Sequence, residues 1–126
     1  MTQVVQADRP QTGRRDGGGK RAVWEKTGGF AFGETFLATA DQTCQKLTHA
    51  KELLRAMSET LLKTKMRDVH ALRTGSGPQA PQRKRGRDKA WRRDIDHDLH
   101  LHYWERADGS IEFACVGHHN SMSIPY

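Results

Sequence analysis

An α+β fold, with two helices packed on one face of a small antiparallel sheet of about four strands, is predicted by three features of this sequence. Apolar side chains recur at helical spacing over two successive stretches, first from Phe32 and then from Ala50. Two β-rich runs, 99–104 and 111–119, flank the turn Ala107-Asp108-Gly109 and read as a hairpin. A further run at 91–95 supplies a third strand, so helices and strands are segregated along the chain rather than alternating.

Taken in order, residues 1–20 hold Asp8-Arg9-Pro10, Gly13-Arg14-Arg15 and Gly17-Gly18-Gly19 with almost nothing apolar to bury, which predicts a disordered tail. Residues 21–126 are then a single domain of about a hundred residues. Ala22, Val23 and Trp24 predict a short first strand at 21–27, ended by Gly28-Gly29; residues 35–38 are the alternative for that strand. The first helix carries Phe32, Phe36, Leu37, Ala40, Cys44 and Leu47. The second carries Ala50, Leu53, Leu54, Met57, Leu61 and Leu62, with Thr48 placed to cap it. Residues 69–72 form a short strand or turn. Thr74-Gly75-Ser76-Gly77-Pro78 then begins a loop that runs to Lys89.

The hairpin register follows from the turn. A three-residue loop with Gly109 in the left-handed conformation pairs Tyr103 with Phe113 and Leu101 with Cys115, which makes one face apolar. Alternation then gathers His100, His102, Trp104 and Arg106 with Glu112, Ala114, Val116 and His118 on the other face. His100 and His118 become neighbours within reach of a common ligand.

The chain has 126 residues and a formal charge of +6, unevenly placed: seven Lys or Arg fall among residues 83–93, opposed only by Asp88. Such a cluster favours an anionic polymer as partner over a solvated loop. Two cysteines, Cys44 and Cys115, suit reduced buried thiols better than a disulfide framework. No run resembles a signal peptide or a membrane span, so a cytoplasmic protein is expected.

The element order, together with Trp91-x-Arg93-x-Ile95, Leu101-x-Tyr103, an acidic turn, an apolar strand and Cys115-x-x-His118, resembles the RelE/ParE superfamily of toxins, and most of all its YoeB branch. The likeness covers residues 91–119 in detail and the remainder only in element order. It implies a RelE-like fold and a metal-independent endoribonuclease that cuts messenger RNA in the ribosomal A site. It also implies a cognate antitoxin as partner, acidic in character, and no cofactor.

In that family the ribose 2′-hydroxyl attacks the adjacent phosphate, which needs a base, an acid and cations for the developing charge. The family's catalytic histidine falls on His118 and its terminal aromatic on His119, which is assigned to stack a base or share the proton transfer. Its strand arginine falls on His100 and a glutamate base falls on Pro81, so His100 is assigned as base or phosphate ligand and Arg93 as part of the catalytic charge. Phosphate binding is assigned to Arg83, Lys84, Arg85, Arg87, Lys89 and Arg92, with Trp104 stacking a base or covering the core edge. Trp91 and Tyr103 are read as core, and His49, His70 and His97 as surface or turn residues. His100, His102 and His118 could hold a metal with Asp98 or Glu112, but the set reads more strongly as a metal-free groove.

A ParE-like gyrase inhibitor and a non-catalytic nucleic-acid-binding protein are the alternatives. The enzymatic assignment requires His100 and His118 on one face of the sheet.

Overall fold

The computed structural model describes residues 29–126 and the two-residue strand β1 (Val5–Gln6). β1 lies within the segment expected to be disordered. The rest of that segment and the strand expected at 21–27 fall outside the described residues. The chain continues with β2 (Phe30–Phe32), α1 (Phe36–Thr43), α2 (Leu47–Leu62), a 3-10 turn (Met66–Asp68), β3 (Val69–Ala71), β4 (Lys84–Arg85), β5 (Asp88–Asp94), β6 (Leu99–Glu105) and β7 (Ile111–His118). The sheet runs β1-β2-β7-β6-β5-β3, with β4 paired to β5.

The fold is α+β with two helices on one face of the sheet, as expected, but the sheet has seven strands rather than about four. It is also mixed, because β2 lies parallel to β7. The first helix is shorter than its periodicity suggested. Gly33 N–H donates to Phe113 O (2.8 Å), which holds Phe30 and Phe32 in the sheet, and Phe32 then stacks on Phe36 at 5.4 Å. The alternative strand at 35–38 is instead the start of the helix, with Thr35 at its N-cap position. α2 begins at Leu47, with Lys46 at the N-cap position, so Thr48 lies inside the first turn and does not cap. It buries Leu53, Ala56 and Thr60, leaving Leu54 and Leu62 exposed.

The helix-face core unites Phe36, Leu53, Ala56, Leu99, Leu101, Tyr103, Phe113 and Val116, with Trp91 packed against it. The hairpin turn forms as expected: Gly109 has φ 87°, and Arg106 N–H donates to Ser110 O at 2.9 Å. Tyr103 faces Phe113. Between His102 and Tyr103 the register then shifts, so that His102 pairs with Cys115, Leu101 with Val116 and Leu99 with His118. One extra residue in β7, Ala114, accounts for the shift. It lets Phe113 and Val116, three apart, both enter the helix-side core, and it moves Cys115 to the opposite face beside His102 (3.6 Å).

On that opposite face a second cluster joins Leu72, Ala90, Trp104, Ala114 and Ile124. The C-terminal residues lie over it, held through their carbonyls. Arg83 Nε donates to Met122 O (2.7 Å), Trp104 Nε1 to Pro125 O (2.8 Å), and His102 Nδ1 lies 2.9 Å from Ser123 O. The stretch expected to be loop between 79 and 89 includes a hairpin, β4–β5, turning at Gly86 with φ 61°. No helix among the described residues is long and apolar enough to cross a membrane.

α2 ends in a left-handed turn. Lys63 has φ 57° and Lys65 φ 52°, and Thr64 N–H closes back on Glu59 O at 3.0 Å. Arg93, with 0% exposure, clamps the turn by donating to Thr64 O (2.9 Å) and Lys65 O (3.2 Å), with Glu59 at 3.5 Å. Because a Cβ is strained at positive φ, Lys63→Gly is expected to stabilise the fold by roughly 0.5–1 kcal/mol, read as a raised urea midpoint with unchanged slope.

Candidate functional site

The bulge puts the two histidines that the sequence pairs on opposite faces of the sheet, so the arrangement required for the His100–His118 enzymatic assignment is not formed. His118 lies opposite Leu99 and two residues beyond Val116, at the exposed end of the helix face. His100 lies between Asp94 and Gly117 on the other face, 6% exposed. Glu112, one of the two carboxylates named for the less favoured metal reading, is held by Arg85 (2.9 Å) and Arg106 (3.0 Å).

Other assignments change for reasons of burial and alternation. Arg93 is the clamp beneath α2 and is sealed from solvent, so it cannot meet a phosphate. Trp104, 0% exposed, packs in the second cluster with Arg85 4.7 Å above its ring and cannot stack a base. The basic cluster does not form a single phosphate-binding surface. Arg85 is paired with Glu112 and Asp88, and Arg83 serves the C-terminal residues. Lys84 and Lys89 pair across β4–β5, and alternation sets Lys89 on the face of Trp91 and Arg93. Arg87 sits exposed at the hairpin tip.

Two predicted residues, Arg92 and His119, do come together, and they do so in a groove of about 650 Å³. Its walls are His70, Arg73, the 75–78 loop, Arg92, His119 and Asn120. The sheet builds the floor in rows. His70, Arg92 and His102 are cross-strand partners on β3, β5 and β6, and the next row sets Asp94 beside His100. Arg92 is partly buried and has no hydrogen-bond or ion-pair partner among the described residues. Asp94 lies between two imidazoles, 3.2 Å from His100 Nε2 and 3.8 Å from His70 Nε2, and the His100 and His119 rings meet edge to face at 6.4 Å.

Burial sorts the histidines by chemistry. It lowers the proton affinity of His100 against the pull of Asp94, and it brings His102 down to about 4 although the Ser123 carbonyl favours its proton. Cys115 is pushed up to about 12 by burial, which removes its thiol from nucleophilic chemistry. His70 and His119 remain exposed, where a ligand in the groove can reach them. His70, Asp94 and Arg73 were missed by sequence reasoning. The even-numbered side of 88–94, carrying Arg92 and Asp94 opposite Trp91 and Arg93, was the available signal.

Among the described residues, Asp96, His97 and Asp98 form the one cluster spaced for a cation. Asp96 Oδ1 there accepts the backbone N–H groups of Asp98 (2.8 Å) and Leu99 (2.9 Å), which makes it a turn cap. Comparison with models of protein families, with curated proteins and with solved structures found no match to the chain.

His102 sets a pH dependence of stability. Its ring binds a proton near pH 6.5 when unfolded and only near 4 when folded, so the unfolded chain gains protons first as pH falls. Its contribution is therefore complete above pH 6.5 and is lost between there and pH 4. The expected loss is roughly 3 kcal/mol, measured by urea unfolding across that range. His102→Asn, which keeps an N–H donor toward Ser123, should flatten the slope.

Proposed function

We propose that the groove binds the sugar–phosphate backbone of single-stranded RNA and that the chain is a metal-independent endoribonuclease. The observation that carries this reading is Arg92, a partly buried cation without a partner among the described residues, in one groove with two exposed imidazoles, His70 and His119. One imidazole takes the 2′-hydroxyl proton, and the oxygen attacks the adjacent phosphorus. The bond to the 5′-oxygen breaks, leaving a cyclic phosphate, and the second imidazole, protonated, delivers its proton to that oxygen. Arg92 balances the extra negative charge of the phosphorane. His119 takes the base role, and His70, beside the Asp94 carboxylate, takes the acid role.

The resemblance of residues 91–119 to the RelE/ParE superfamily supports the same class of chemistry. Within it, the α+β architecture is a RelE-like fold and the protein a ribosome-dependent toxin restrained by an acidic antitoxin. The catalytic set departs from that pattern throughout: the expected pair His100 and His118 is split between the two faces and Arg93 is sealed, so His119, His70 and Arg92 take the roles instead. A non-catalytic RNA-binding role is favoured by the burial of His100, which withdraws the expected base from the groove.

The test incubates purified protein with end-labelled RNA, with and without ribosomes, in the presence of a chelator. Cleavage to cyclic-phosphate ends should persist in chelator. His119→Ala and Arg92→Gln should each slow it by about a hundredfold or more, while His118→Ala stays within about twofold of the parent. RNA that is bound but left intact would establish the non-catalytic role instead.

A further inference from the structure

The turn between α2 and β3 contains two residues that its backbone disfavours and no glycine. Lys63 and Lys65 both have positive φ, where glycine is the unstrained choice, and both side chains are exposed. The turn is nonetheless tightly determined, because the buried Arg93 guanidinium binds the carbonyls of Thr64 and Lys65 from beneath. Arg67 follows in the 3-10 turn, also exposed. Among the described residues, none of these three cations has an ion-pair partner. The one acid of the segment, Asp68, is partly buried.

We propose that Lys63, Lys65 and Arg67 form a second phosphate-binding surface, which holds an RNA strand where it leaves the groove across the β3 edge. The placement follows from the chain itself. The 3-10 turn runs directly into β3, and Val69 and His70 of β3 line the groove. A backbone passing over Arg92 and His70 meets these cations next. They are fixed by the clamp below, so binding does not have to order the turn first. Lysine acts on phosphate as a point charge, which suits a contact that carries no sequence information. The proposal rests on the groove being an RNA site, and it extends that site beyond one phosphate.

The experiment measures binding of a 2′-O-methyl single strand of about twelve nucleotides, which cannot be cleaved, as a function of salt. Parent, Arg92→Gln and the double variant Lys63→Gly/Lys65→Gly are compared. The glycines relieve strain, so lost binding cannot be assigned to a damaged fold. The double variant should reduce the slope of log affinity against log salt by about 1.4, or 0.7 for each lost phosphate contact on a single strand. A trinucleotide that fills only the groove should bind parent and double variant equally. An unchanged slope in the double variant overturns the second surface, and a reduced slope with Arg92→Gln at parental affinity overturns the groove while the lysine surface stands. Failure of the parent to bind the long strand at low salt overturns both.

Discussion

One extra residue in β7 governs the layout of this molecule. Phe113 and Val116 are both needed in the helix-side core, yet they are separated by an odd number of positions, which strict alternation would send to opposite faces. The bulge at Ala114 resolves the conflict at a residue small enough to sit beneath Trp104. Everything past it changes sides: Cys115 joins His102, Gly117 comes opposite His100 with Ser121 packed over it, and His118 is turned toward the helix face. The hydrophobic demand of two side chains thus decides where two potentially reactive ones, Cys115 and His118, go.

Charge is disposed by the same logic of burial. Arg93 and Glu112 lie inside the protein and are kept there by multiple partners, the first by helix-end carbonyls, the second by Arg85 and Arg106. Removing a partner from such a group leaves an uncompensated charge, so these side chains are committed to the fold. That commitment consumes cations which a count of charge would assign to a ligand. The arginine left over on the sheet is Arg92, one residue from Arg93 but on the opposite face.

The C-terminal residues complete the groove side of the sheet without joining it as a strand. Three of their carbonyls bond side-chain nitrogens of Arg83, Trp104 and His102, and Ile124 enters the second cluster. His119 and Asn120 are thereby brought to the groove rim, while His102 is sealed as a neutral ring. Seven histidines are present in the chain. What distinguishes His70 and His119 from the buried His100 and His102 is access to water, and what distinguishes them from the exposed His97 and His118 is their place in the groove wall.

The sequence by itself determined the α+β class, the two helices on one face, the three-residue turn at Gly109 and the Tyr103–Phe113 pairing. Each follows from local periodicity or from backbone sterics that act over a few residues. Arg92 and His119, assigned from the basic cluster and from the family resemblance respectively, do line one groove, Arg92 on β5 and His119 just beyond the end of β7. Tertiary structure alone decided the bulge, the parallel pairing of β2 with β7, the sealing of Arg93 and Trp104, and the meeting of His70, Arg92 and His119. Those depend on which apolar side chains, distant in sequence, must share one core, and a single inserted position reverses the facing of every residue after it.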